Sequence, residues 1–320
     1  MSSFGRKGYK AFEYGMVCRG KQYAENTVFE EPGARACCRR GVMHYCENPL
    51  DVLDYYPLID SEGRITEIAE IEPMAKVLRE DNKCATKKIR IGAKLSFKDF
   101  VKAGIDFVLE KCKGDNDSDD SAYLASSGNS ENLASSRDYT NLVSSGDWVH
   151  LASSGYYAHL ASSGYYTHLA SSGNRSSIVS SGDCAHLSFS GDETKLFSSG
   201  DCAQIASSGN CVQIVSSGDY AKIASSAHGG TLTSFGNSAW LVSLGDFKRI
   251  ASFGKDSVVA SIGRNNKAKG ALGNWIVLAE WGWIGDEYKP VCVKAEQVDG
   301  ERIKADTWYE LNDGEFVEVK

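Results

Sequence analysis

Apolar and polar positions follow three regimes along the 320 residues. Between about Leu124 and Trp281 an aliphatic residue returns every nine positions, as at Leu142, Leu151, Leu160, Leu169 and Ile178, and onward to Ile250 and Val259. Leu151–His159 reads L-A-S-S-G-Y-Y-A-H, and the next nine residues differ at one position. A fixed short period means that no unit has a core of its own; each buries its apolar face by stacking on the next, as in a solenoid. Nine residues are too few for a coil of two strands and two turns, whereas eighteen suffice. The pattern predicts a β-solenoid over residues 124–281 with two repeats per coil, each giving a short strand such as Ala158–Ser162. Alternation along that strand sends Ala158, Leu160 and Ser162 inward and His159 and Ala161 outward. The following Ser-Ser-Gly predicts a turn in which glycine takes positive φ and a neighbouring Asp or Asn bonds local backbone.

Before the repeats, residues 1–113 predict an α+β head. Strands are expected at Tyr9–Phe12, at Met16–Tyr23 paired with Asn26–Phe29, at Ile65–Ile71 and at Lys87–Ile91. Asn48 as N-cap and Pro49 at the first helical position open a helix that ends at Pro57. A second helix opens at a Ser96/Asp99 capping box, with Phe97, Phe100, Val101, Ile105 and Val108 on one face. Residues 114–123 read as an acidic linker carrying Asp115, Asp117, Asp119 and Asp120, without the central glycine and terminal glutamate of a calcium loop. Residues 282–320 predict a small antiparallel β cap. One hairpin joins Val291–Ala295 to Arg302–Lys304 around Asp299-Gly300, and another joins Trp308–Leu311 to Glu315–Val319. Trp275, Trp281, Trp283 and Trp308 are assigned to the cap's core.

Composition narrows the function classes. Forty-two acidic against 35 basic residues, a formal charge of −7, argue against a protein that grips a nucleic-acid backbone directly. No apolar window is long enough for a membrane span, and the first ten residues lack the apolar core of a secretory signal. The ten cysteines are irregularly spaced, and Cys184, Cys202 and Cys211 occupy one repeat position in place of tyrosine. Reduced thiols in a cytoplasm are expected. Cys37, Cys38, His44 and Cys46 contain no C-x-x-C pair, so no metal site is assigned, and no cofactor is expected.

Within the repeats, residues eighteen apart should stack. Calcium-binding nonapeptides place Asp two positions before the aliphatic residue, whereas here it lies four before, as in Asp147 and Leu151. Stacking makes a ladder of His150, His168 and His186, continued by Gln204 and Lys222, which reads as a solvated polar stripe. It also gathers Asp147, Asp183, Asp201 and Asp219 on one edge, with Tyr165 among them and Tyr220 in the next column. That acidic and aromatic edge is the expected docking surface for a partner protein. From Phe247 to Lys269 the balance reverses, with six Lys or Arg against Asp256. Beyond Ala224 the second serine of Ser-Ser-Gly becomes Phe235, Leu244, Phe253 or Ile262. These larger residues predict a covered column, either by the tail or by a second subunit, the latter making a homo-oligomer through the distal solenoid end or cap.

Gly41–Tyr56, preceded by Cys18-Arg-Gly20, resembles the head of an uncharacterised family common in bacteriophages and prophages. Members often carry an Ala/Ser/Gly repeat tract and end in a stretch similar to Lys304–Leu311. The resemblance implies a non-enzymatic interaction protein in the cytoplasm of a bacterial host, binding a host protein or complex and inhibiting a defence or nucleic-acid enzyme. A virion structural component is a further expectation of the same resemblance. The head also resembles ADP-ribosyltransferases in the order of Arg19-Gly20, His44-Tyr45, the helix from Pro49, and Glu70 or Glu72. That likeness implies Arg19, His44 and Glu72 as catalytic candidates in a nucleotide-binding head displayed on an oligomerising solenoid. The sequence departs from it in lacking a Ser-Thr-Ser or His-Gly-Thr motif. The plain structural alternatives are an Arg19–glutamate pair and a hydrogen-bonded strand histidine.

Overall fold

The computed structural model describes residues 7–33, 37, 40–56, 64–80, 82–112 and 123–319. The chain is mainly β and forms two compact units, residues 1–115 and 116–320, the second holding solenoid and cap together. Pro57, Cys38 and the acidic linker up to residue 122 lie outside the described residues. Among the described residues, no helix is long and apolar enough to cross a membrane.

The head is α+β, as its pattern predicts. In chain order β1 (Gly8–Phe12), β2 (Val17–Cys18), β3 (Lys21–Gln22), β4 (Val28–Glu30) and β5 (Met43–Tyr45) lead to a 3-10 helix at Leu50–Asp54. Then come β6 (Glu67–Pro73), β7 (Val77–Glu80), β8 (Lys83–Thr86), β9 (Lys88–Lys94) and α1 (Phe97–Cys112). One sheet has the order β1-β6-β9-β4, a smaller one β5-β8-β7, and β2-β3 is a separate hairpin. Phe12, Ile71, Ile89 and Ile91 are fully buried between them.

Two local expectations for the head are corrected. Met16–Tyr23 folds back on itself instead of pairing with Asn26–Phe29, and β4 pairs with β9. The reason lies at the two-residue turn, where Arg19 (φ 52°) and Gly20 (φ 75°) both take the left-handed conformation that closes a tight hairpin. The helix from Pro49 is a single 3-10 segment. Of its buried residues Leu50, Val52 and Leu53, the two leucines are three apart, the spacing at which 3-10 side chains eclipse. The Asn48 side-chain oxygen accepts the Leu50 N–H at 3.2 Å. By contrast α1 starts as predicted, with Ser96 Oγ accepting the Asp99 N–H at 3.2 Å.

Residues 123–278 form a parallel β-solenoid of about nine coils, two strands to each, from β10 (Tyr123–Ser126) through β26 (Lys267–Gly270) and into β27 (Trp275–Ile284). Alternate strands build alternate sheets. Each strand pairs with the one eighteen residues on, so Leu142 lies opposite Leu160 and His150 opposite His168. The aliphatic anchors Leu142, Leu151, Leu160, Leu169 and Ile178 are almost wholly removed from water in one continuous core. The last coil is shorter by one residue, Val258 pairing with Trp275.

The turn chemistry differs from expectation and is more exacting. The repeat glycine does not take positive φ. That conformation falls two residues later, at Trp148, Tyr157, Tyr166, Cys184, Cys202 and Tyr220, with φ of 60°, 54°, 53°, 56°, 58° and 59°. Glycine is required for close approach instead. A Cβ on Gly146 would lie 2.0 Å from the carbonyl oxygen of Gly128, and one on Gly182 would lie 1.7 Å from that of Gly164. The inward serine two residues earlier closes the turn, as Ser144 Oγ accepts the Gly146 N–H at 3.1 Å.

At the far end β28 (Glu287–Gln297) returns antiparallel along β27 and extends the second sheet, while β29 (Trp308–Asn312) and β30 (Glu315–Val319) extend the first. The β29–β30 hairpin matches its pattern. Arg302–Lys304 is not a strand: the Asp299 carboxylate accepts the N–H groups of Glu301, Arg302 and Ile303, each at 2.9 Å, and curls the segment into a loop. The tryptophans are not the cap's core either. Trp275 is 46 % and Trp283 72 % exposed, and Ile276, Leu278, Val298, Ile303 and Tyr309 are buried in their place. The outward period of the last strand places both indoles on its solvent side.

Candidate functional site: a cationic cleft in the head

The head contains a cleft of about 850 Å³ bordered by β1, β5, the β2–β3 hairpin and the 3-10 segment. Lys10, Arg19, Lys21, Arg40 and Lys83 contribute to its lining, against the carboxylates of Glu13 and Glu31. Lys21 is ion-paired to Glu31, leaving the lining positive overall. Tyr23, Tyr55 and Tyr56 supply aromatic surface, and the Lys83 ammonium sits 3.6 Å from the centre of the Tyr55 ring.

Lys10 is the unusual member, being only 4 % exposed. It lies on the same side of β1 as Phe12, so strand alternation carries an ammonium into the apolar layer. Its Nζ donates to the His44 carbonyl oxygen at 3.1 Å and to Cys18 Sγ at 3.4 Å. The Cys18 sulfur and the Tyr56 hydroxyl are 2.9 Å apart, continuing the chain of polar contacts. Burial lowers the Lys10 pKa, and the neighbouring Arg19 adds to that effect while Cys18 opposes it.

His44 reports the same field. Burial first, then the positive charges of Lys83, Lys10 and Arg19, push its pKa down to about 4. Its imidazole is therefore neutral at pH 7. The cations add to burial in disfavouring a further positive charge, and by the same sign a negative ligand brings a favourable one.

Of the three catalytic candidates, Arg19 and His44 come together in this cleft, and Glu72 does not. Glu72 is exposed on β6, paired in register with Arg90. Lys10, Arg40 and Lys83, which also line the cleft, were not singled out from the sequence. A readable signal existed for Lys10, a lysine two positions before Phe12 in the strand Gly8–Phe12. None existed for Lys83, which reaches the site only through the pairing of β8 with β5.

On the solenoid the Asp edge is real as a row. Asp147 Oδ1 accepts the Tyr165 N–H at 2.8 Å, Asp183 Oδ1 that of Asp201 at 2.9 Å, Asp201 Oδ1 that of Asp219 at 2.8 Å and Asp219 Oδ1 that of Asn237 at 2.7 Å. Asn129 and Asn174 accept in the same way, from Asp147 and Asp192, each at 2.9 Å. The position thus needs an acceptor for the next coil's backbone, and charge is incidental to that task. Tyr165 and Tyr220 are 44 % and 60 % exposed. His150, His168 and His186 stack with ring centroids 4.6 and 4.7 Å apart. Burial, then the flanking His186 and His150, lower the pKa of His168.

No curated protein and no solved structure matches the chain. Residues 6–103, which include every residue lining the cleft, match the family model described as a domain of unknown function (DUF7666).

Proposed function

We propose that this is a binding protein whose head captures an anionic, ring-bearing ligand of nucleotide size while the solenoid serves as a rigid, surface-rich extension. The observation that carries this reading is the cleft itself: five cationic side chains and five tyrosines around about 850 Å³. Ammonium and guanidinium groups recognise phosphate or carboxylate, and tyrosine faces stack on planar rings. In the setting implied by the phage-family resemblance, the protein acts in a bacterial cytoplasm on a host macromolecule. The exposed aromatic edge at Tyr165 and Tyr220 then offers contact surface, and inhibition of a host defence enzyme is the corresponding outcome. The test is thermal denaturation with ADP, NAD⁺, inorganic phosphate and an uncharged nucleoside. The expected result is stabilisation by the charged nucleotides that is lost in Arg19→Ala and Lys10→Met. Equal transitions with every compound would reject the reading.

A second reading, an ADP-ribosyltransferase-like enzyme, is favoured by the meeting of Arg19 and His44 in one cleft. It lacks its acid there, since Glu72 lies on another strand face and the carboxylates lining the cleft are Glu13 and Glu31. Hydrolysis of NAD⁺ that stops in Glu13→Gln or Glu31→Gln would support it; binding without turnover would leave the non-enzymatic reading.

A further inference from the structure

The second sheet of the solenoid changes character along its length. On its outer face one column reads His150, His168, His186, Gln204 and Lys222, then switches to Trp240, Val258 and Trp275. The column two residues on is alanine or serine at Ala152, Ala170, Ser188, Ala206 and Ala224, then Val242, Ala260 and Val277. A third column changes from serine to Leu244 and Ile262. These outward side chains lie in water: Trp240 is 57 %, Val242 41 %, Leu244 58 %, Val258 39 %, Ile262 41 % and Trp275 46 % exposed. The return strand β28 continues the face through Val293, opposite Ala279, at 59 %.

We propose that this distal face is the interface of a homodimer, with a second copy of the same chain as its occupant. Three observations favour a copy over a different partner. From Trp240 onward the named positions of the face carry no charge. The one charged member of these columns is Lys222 at the border, its ammonium 5.2 Å from the centre of the Trp240 ring, so little charge complementarity selects a foreign surface. Its exposed side chains offer apolar area on the order of 600 Å², at the upper end of what a monomer leaves in one patch and near the ~800 Å² per partner of a stable interface. Its relief is also self-complementary. A raised column (Trp240, Val258, Trp275) runs beside a lower one (Val242, Ala260, Val277). A two-fold axis parallel to the solenoid and midway between them sets each raised column over the partner's lower one. Two sheets then pack face to face at about 10 Å, as in a β-sandwich. The polar coils from His150 to Lys222 fix where the interface stops.

This inference is independent of the head cleft. Its test is sedimentation equilibrium of the full chain under reducing conditions. Leu244→Ser/Ile262→Ser restores the serine of the repeat and keeps the coil geometry, and Trp240→Glu/Trp275→Glu adds buried charge only to a dimer. The wild type is expected at twice the chain mass at micromolar concentration. The serine variant should have a dissociation constant at least tenfold higher, and the glutamate variant should sediment at the chain mass, all with the same circular dichroism. A wild type that stays at the chain mass up to 100-fold higher concentration, or a dimer that both folded variants retain, overturns the proposal.

Discussion

Head and solenoid reach function by opposite routes. In the solenoid one rule, repeated every eighteen residues, sets each contact: aliphatic over aliphatic, acceptor over N–H, glycine under carbonyl. In the head no contact repeats. Lys10, Cys18, His44 and Tyr56 meet across separations of 8 to 38 residues. Regularity gives stiffness and a surface of equal columns, and a change within a column, such as Lys222 to Trp240, is the only way it marks a place. Irregularity gives a concave site with several chemistries in one volume. In the functions proposed above, the solenoid supplies the assembly surface and the head the recognition of a small group.

The comparison breaks most visibly at a repeat glycine. In Gly200→Val the new side chain meets the Gly182 carbonyl oxygen, 2.0 Å from where Cβ must stand, and backbone cannot yield without breaking the register of neighbouring coils. A loss of about 4 kcal/mol or more is expected in denaturant unfolding of the second unit. Gly15→Val is the control: a Cβ there meets nothing within 4 Å, and only the φ of 80° opposes it.

The head should respond in binding rather than folding. Arg19→Ala and Lys10→Met should each weaken an anionic ligand at least tenfold, about 1.4 kcal/mol, in calorimetric titration. Lys10→Met should leave the head as stable or more so, since it removes a buried ammonium without emptying the layer. A pH series sharpens this. His44 is depressed to about 4, so the folded head holds it neutral while an unfolded chain protonates it near its ordinary value. The stability it contributes is complete above about 6.5 and is lost as pH falls through about 4. His44→Gln should flatten the acid limb of the head's melting curve in that window.

Smaller effects separate acceptor from charge on the Asp edge. Asp201→Ala removes the acceptor of the Asp219 N–H and should cost about 0.5–1 kcal/mol, whereas Asp201→Asn should be close to neutral. If the edge docks a basic partner, the asparagine variant folds normally and loses capture. Smallest of all, Tyr220→Asn relieves a left-handed residue at φ 59° and should stabilise by a few tenths of a kcal/mol.

Legibility in the sequence followed the same divide. The solenoid, its two-strand coil and its inward columns were readable because period and alternation are local properties of the chain. The burial of the outward positions His159 and Ala161 was not, since alternation sets direction and not what covers a face. The reason for each glycine was not: positive φ and close approach both favour glycine, and only the stacked coils separate them at Gly146 and Trp148. Arg19 and His44 were readable as candidates, but their neighbours were not, because sheet pairing, not spacing, brings Lys83 and Lys10 to them. Glu72 failed for a related reason. Sequence order set it after the helix, while strand direction set it on another face. The cap tryptophans misled because size suggests burial, whereas the outward period of β27 places Trp275 and Trp283 in water.

The most direct measurement of the central claim is calorimetric titration of ADP into the full-length protein and into Arg19→Ala. Saturable one-site binding by the wild type, at least tenfold weaker in Arg19→Ala with unchanged unfolding transitions, is the predicted result. Identical titrations for the two proteins, with or without heat of binding, would contradict the assignment of the head cleft as the recognition site.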